Sequence, residues 1–278
     1  MIKEILKKLV AEKRRAGVPD FVIVNCLKEV LQFPVLNFIY TSEEYKRSFI
    51  FTGGSCLRIC HSLPRLSEDL DFDLSARDFG NLDLEKMGAT LVEYFQKNFL
   101  LDLSYRVQGS SRLYLKFKIL KELGISYEEG SDFLYVKIEP AISQFKKFDT
   151  ELTPVSSYGF NFLLKSYDLK FLMTGKIMAI LERQWFKGKE NVVNIKGRDF
   201  YDLYWYLNKN VTPDFLSLSE KFSINNVATL QKVLKKKIEE IDVMLLAYDL
   251  KNFFTDQSFV IDFCKNYKEI MKKYLTRI

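Results

Sequence analysis

One histidine, His61, occurs in the 278 residues, and that scarcity removes whole classes of chemistry. Ser-His-Asp and Cys-His mechanisms would all have to run through this single imidazole. No G-x-S-x-G elbow or comparable nucleophile motif stands near it. Cysteine is sparse as well. Cys26, Cys56, Cys60 and Cys264 form no disulfide framework for a chain of this size, and they point to a reducing, cytoplasmic setting. Cys56, Cys60 and His61 spell C-x-x-x-C-H, one residue longer than the c-type haem string, and a tetrahedral zinc site would need further ligands close by. The two thiols read as core packing one helical turn apart. No apolar run of about 18 residues occurs, and the N-terminal MIKEILKKLVAEKRRAG carries charge throughout its apolar pattern. It predicts an amphipathic helix, not a signal peptide or membrane span, and hence no membrane partner. Internal repeats and low-complexity segments are absent. What remains for chemistry is carboxylates, lysines and metal ions.

The chain is 47% hydrophobic and 28% charged, ordinary for a globular protein, and its 24 Phe and 15 Tyr suit well-filled cores. The net charge of +6 is placed unevenly. Residues 1–160 hold 22 Lys and Arg against 22 Asp and Glu, whereas residues 161–278 hold 20 against 14. Two units with different tasks are expected. Hydrophobic periodicity agrees. IKEILKKLVAEKRR and DFVIVNCLKEVLQF predict helices, RSFIFTGG a strand entering a glycine turn, and SCLRICHSL the helix that follows. EDLDFDLS, LDLSYRVQ, SRLYLKFKIL and DFLYVKIEP alternate as strands, with a helix over LDLEKMGATLVEYFQKNF. Beyond Tyr167 every periodic segment is helical. An α+β unit over residues 1–165 is therefore expected to precede an all-helical unit over 166–278.

Asp69, Asp71 and Asp73 alternate with Leu70, Phe72 and Leu74, which puts three carboxylates on one strand face about 6.5–7 Å apart. They repel unless a cation or basic side chains compensate them, and a solvated face with nearby Lys and Arg is the plain alternative. An EF-hand is excluded, because Leu74 stands where its glycine is required and Gly80 where its bidentate glutamate belongs. A D-x-D glycosyltransferase, holding a metal on a nucleotide-sugar diphosphate, stays open on these residues alone. Upstream, Gly53, Gly54 and Ser55 close a strand and open a helix, so backbone N–H groups and the helix N-terminus can face a phosphate. No Lys-Ser/Thr follows at Walker A spacing. Together the two features suggest an amide cradle for a triphosphate beside carboxylates for divalent metal.

GGSCLRICHSLPRLSEDLDFDLS resembles the core signature of the AbiEii/AbiGii-toxin-type nucleotidyltransferases, a branch of the polymerase-beta-like superfamily. KIMAILER (Lys176 to Arg183) resembles the family's lysine helix, and KGRDFYDLYW (Lys196 to Trp205) its arginine–aspartate helix. The three motifs stand in the family's order over roughly residues 50–205. The resemblance implies an α+β fold: a polymerase-beta-like domain with a mixed or antiparallel sheet flanked by helices, followed by a helical bundle. It implies transfer of a nucleoside monophosphate from a nucleoside triphosphate, with Mg²⁺ or Mn²⁺. Asp69 and Asp71 match the metal-binding pair. Gly54 and Ser55 match the phosphate-holding turn, with Arg58, Arg65 and Ser67 beside it as nucleotide-binding candidates. Lys176 matches the phosphate-contacting lysine, with Arg183 further along that helix. Asp199 matches the aspartate that bonds the lysine or assists the nucleophile. Asp73, Glu139, Arg198 and Asp202 are additional candidates; Glu139, on a later strand, is a third metal ligand in the superfamily pattern.

The resemblance also implies an RNA acceptor, a tRNA 3′ end in particular, and a cognate antitoxin. The basic segments KKKIEE and MKKYLTR, and the loop in which Trp185 and Phe186 interleave with cations, are compatible with RNA. Lysine-rich helix faces also simply solvate. A nucleotide-binding regulatory protein on the same fold is the alternative.

Overall fold

The structure is a computed structural model that describes residues 2–109, 111–125, 132–182 and 196–278. Arg183, Trp185 and Phe186 lie outside the described residues. Two compact units are formed: Met1–Lys146 with Thr150–Ser166, and Lys147–Asp149 with Tyr167–Ile278.

The first unit opens with α1 (Ile2–Arg15), whose Ile2, Leu6 and Val10 recur every four residues and are buried. Helix α2 (Asp20–Thr41) is apolar nearly all round and continues past Pro34, well beyond the stretch that periodicity marks. Burial on most sides outweighs the one helical hydrogen bond that proline removes. Among the described residues, α2 is the one helix long and apolar enough to cross a membrane by length and composition, and 78% of its most apolar window is buried inside the protein.

Then come β1 (Ile50–Thr52), α3 (Gly53–His61), β2 (Asp69–Leu74), α4 (Ala76–Gly80) and α5 (Leu84–Phe99). Strands β3 (Leu103–Gln108), β4 (Arg112–Lys118), β5 (Phe133–Ile142), β6 (Thr150–Ser157) and β7 (Phe160–Tyr167) complete one seven-stranded sheet in the order β3-β4-β5-β2-β1-β7-β6. It is mixed: β2 runs parallel to β5 and antiparallel to β1, while β1 runs parallel to β7. Helices α2 and α5 pack on the sheet, and α3 packs on β1 and β2. In β2, Leu70, Phe72 and Leu74 are fully buried, with Phe72 among the rings of Tyr40, Phe49 and Phe51. The three aspartates take the opposite, half-buried face.

In the hairpin β6–β7, β7 buries Phe160, Phe162 and Leu164 in alternation, whereas β6 escapes a period-two reading. TELTPVSS buries only Val155 and carries Pro154, which suits an edge strand and leaves no apolar alternation to detect. Its turn is Tyr158-Gly159, both with positive φ, the conformation of tight two-residue hairpins.

The second unit is helical: α6 (Leu169–Glu182), α7 (Gly197–Asn208), α8 (Phe215–Phe222), α9 (Val227–Glu239), α10 (Val243–Leu250), α11 (Gln257–Lys265) and α12 (Tyr267–Tyr274). The segment 225–250 is two helices, because Asp242 accepts from the backbone N–H groups of Met244 and Leu245 and starts a new one. Buried Tyr201, Phe254, Phe263 and Tyr267 form an aromatic cluster in this unit, which Tyr204 and the exposed Phe259 extend toward the surface.

Candidate active site

The glycine turn and the acidic strand meet at one end of β1. Thr52 stands across from Asp71, so Asp69 and Asp71 lie where β1 gives way to α3, whereas Asp73 pairs with Ile50 at the far end of the strand. Gly53 has φ +75°, a left-handed conformation, and a Cβ there would lie 2.9 Å from the Asp71 carboxylate carbon. The Thr52 side chain makes no cap hydrogen bond to the first-turn amides of α3. The Ser55 hydroxyl donates to the Asp69 carbonyl at 2.5 Å and ties the helix start to the strand start. What Ser55 can present to a ligand is therefore its backbone N–H.

Beneath the turn, Arg65 and Ser67 fold inward. A Cβ on Gly54 would lie 2.6 Å from Arg65 Nη2 and 2.8 Å from Ser67 Oγ, so the close approach requires glycine. Arg65 is buried, and its Nη1 donates to the Leu66 carbonyl at 2.8 Å. The segment entering β2 is fixed from α2: buried Gln32 donates to the carbonyls of Ser67 and Glu68, and Lys28 pairs with Glu68 at 2.9 Å. Arg58 is engaged by Glu29 at 2.8 Å and by the carbonyls of Leu63 and Pro64, bracing the turn that follows α3.

Parallel pairing places Lys137 across from Asp69 and Glu139 across from Asp71, on the same sheet face. Lys137 Nζ lies 3.1 Å from Asp69 Oδ2 and 2.6 Å from Glu139 Oε2, while Arg112 Nε on β4 lies 2.8 Å from Glu139 Oε1. Burial works against the Lys137 charge, but Asp69 and Glu139 outweigh it and raise its pKa. Burial likewise opposes the Glu139 charge, and hydrogen bonds from Lys137 and Arg112 still bring that carboxyl below its usual range.

The oxygen donors of Asp69, Asp71 and Glu139 suit a hard divalent cation, with phosphate oxygens able to complete the shell. Among the described residues no three His, Cys, Asp or Glu side chains are gathered as a ready-made cage. His61 Nε2 lies 3.3 Å from Glu151 Oε1, at the other end of α3 from the glycine turn. Arg112 and Gln32 carry no sequence signal: one is an ordinary strand cation, the other one of three amide side chains in an apolar helix.

In the second unit, Lys176 Nζ on α6 lies 2.8 Å from both Asp199 Oδ1 and Asp202 Oδ2 on α7. Both aspartates are buried, one helical turn apart on one face. Arg198 turns elsewhere, with its guanidinium over the Phe253 ring and its backbone N–H donating to Asp249 at 3.0 Å.

The family described as nucleotidyl transferase AbiEii toxin, Type IV TA system, matches residues 37–263. Among solved structures, MenT4, a nucleotidyltransferase toxin from Mycobacterium tuberculosis H37Rv, aligns over 97% of this chain and 98% of its own, with TM-score 0.54 and 16% identity. A putative nucleotidyltransferase from H. pylori (TM-score 0.46, 14% identity, 90% and 94% covered) and JHP933 from Helicobacter pylori (0.42, 15%, 91% and 96%) also align. No curated protein matches the sequence significantly. The mixed sheet flanked by helices is thus a fold shared with a nucleotidyltransferase toxin, and the chain belongs to the AbiEii nucleotidyltransferase toxin family.

Proposed function

We propose that this toxin transfers a nucleoside monophosphate from a nucleoside triphosphate to an RNA acceptor, a tRNA 3′ end in particular, in a reaction that requires Mg²⁺ or Mn²⁺. The observation that carries the reading is the seating of Asp71 against the start of α3 through Gly53, with Asp69 tied to the same helix start through Ser55. Asp69 and Asp71, with Glu139, would hold the metal, which neutralises phosphate charge in the transition state. The backbone N–H groups of Gly54 and Ser55 hold phosphate oxygens at the α3 N-terminus. Arg65 and Ser67 keep that turn in shape, and Arg58 braces the segment behind it. An acceptor hydroxyl oxygen attacks the α-phosphorus, its proton passes to a carboxylate of the pair, and the bond to the bridging oxygen breaks to release pyrophosphate. Lys176, held by Asp199 and Asp202 within the second unit, is the candidate phosphate-contacting lysine that the family resemblance supplies.

A groove of about 550 Å³ between α9 and α12 supports a polyanionic acceptor. Lys232, Lys235, Lys268 and Lys272 line it, against Glu239 and Glu269. The setting is the cytoplasm, and a cognate antitoxin would counter the activity. To test this, the protein is incubated with total RNA, Mg²⁺ and each labelled triphosphate in turn. Label in an RNA species that chelation abolishes is expected. Triphosphate binding without label in any RNA would favour a regulatory protein on this fold.

A further inference from the structure

Asp69, Asp71, Asp73 and Glu139 put four carboxylates on one sheet face, and Lys137 supplies internal compensation to two of them, Asp69 and Glu139, with no ligand present. Lys137 stands between Asp69 and Glu139, at 3.1 Å and 2.6 Å, with its side chain only 19% exposed. Both carboxylate oxygens therefore lie within about 6 Å of each other, close enough to repel strongly without the ammonium. The arrangement is fixed rather than incidental. Strand pairing aligns Lys137 with Asp69 and Glu139 with Asp71, and Arg112 takes the other Glu139 oxygen at 2.8 Å, steering Oε2 toward Lys137. A flexible surface lysine would roam; this one has two carboxylates on a paired register and little freedom to leave them.

We propose that Lys137 is a resident counter-cation that competes with divalent metal for Asp69 and Glu139. The nucleotide-free protein then keeps its acidic face folded and binds metal weakly. Metal joins the site together with a triphosphate, whose oxygens add donors that the carboxylates alone do not provide. Lys137 is thus a positioning residue that sets metal affinity and suppresses loading without substrate. This inference rests on the assignment of Asp69 and Asp71 as metal ligands under the proposed function.

The test is Mn²⁺ binding to nucleotide-free protein, read from the electron paramagnetic resonance signal of free Mn²⁺. Lys137→Met is expected to bind Mn²⁺ at least about tenfold more tightly than the parent chain, and Lys137→Arg, which keeps the charge, to stay near the parent value. Adding Asp69→Asn and Asp71→Asn to Lys137→Met should remove the gain. In metal-free buffer Lys137→Met should melt lower, with Mn²⁺ restoring it; should that variant fail to fold, Lys137→Gln makes the same test. Equal Mn²⁺ affinity in the parent and Lys137→Met overturns the inference. If Mn²⁺ binding with a non-hydrolysable triphosphate still depends on Asp69 and Asp71, the metal assignment survives that result. If it does not depend on them, both fall.

Discussion

Gly53 and Asp71 are packed so closely that a Cβ on the glycine would lie 2.9 Å from the carboxylate carbon, and the glycine holds φ at +75°. Turn and acidic strand are therefore one structural unit. Gly53→Ala must strain the turn, push Asp71 aside, or both. A loss of about 1–3 kcal/mol in urea unfolding is expected, with nucleotide transfer falling further than stability alone explains. A variant with parental stability and activity would contradict this contact.

The three aspartates are not equivalent. Asp69 and Asp71 flank the glycine turn, while Asp73 stands across from Ile50 at the other end of β1. Asp69→Asn or Asp71→Asn should lower transfer by about a hundredfold or more, the scale of losing a few kcal/mol of charge stabilisation. Asp73→Asn should stay within a few-fold. Equal losses at all three positions would show that the strand face acts as a whole.

Lys176 is held by two buried carboxylates, each at 2.8 Å. Lys176→Met leaves them facing each other without that ammonium, so a destabilisation of about 3–5 kcal/mol is expected by denaturant unfolding. Neutralising the aspartates too, in Lys176→Met/Asp199→Asn/Asp202→Asn, should recover much of the stability and none of the activity. Recovered activity would reduce the cluster to a packing device.

Burial pushes the Cys26 thiol in the first unit and the Cys264 thiol in the second up to about 11. The unfolded chain therefore loses these protons first, at about 8.5. Their contribution to stability is complete below that pH and fades as pH rises through about 11. The urea midpoint should fall between pH 8 and pH 11, and less steeply in Cys26→Ala/Cys264→Ala. At pH 8 a thiol reagent should modify both slowly in the folded protein and rapidly after unfolding. Rapid modification of the native protein would contradict their burial.

Much of this is written locally in the chain. The alternation of Asp69 to Leu74 fixes which face of β2 is buried, and the glycine pair before α3 marks the turn, because both signals depend on neighbours in sequence. Asp199 and Asp202, one helical turn apart, announce a shared face in the same way. Other parts depend on partners far away. Strand β6 has no apolar alternation, since an edge strand beside β7 needs none. Helix α2 runs through Pro34 because the surrounding core, not local propensity, decides it. The ion pairs of Glu139 follow from the register of β2, β5 and β4, which no single segment encodes. Arg58 reads as a cation near a phosphate turn, yet Glu29 on α2 engages it.

The most direct test of the central claim follows the two ends of the triphosphate separately. The protein is given RNA, Mg²⁺ and a nucleoside triphosphate labelled at either the α or the γ phosphorus, alongside Asp69→Ala/Asp71→Ala. Nucleotidyl transfer predicts that α label enters RNA, that γ label leaves as pyrophosphate in equal amount, and that the double variant does neither. Label reaching RNA from the γ position, or undiminished α transfer by the double variant, would contradict the account.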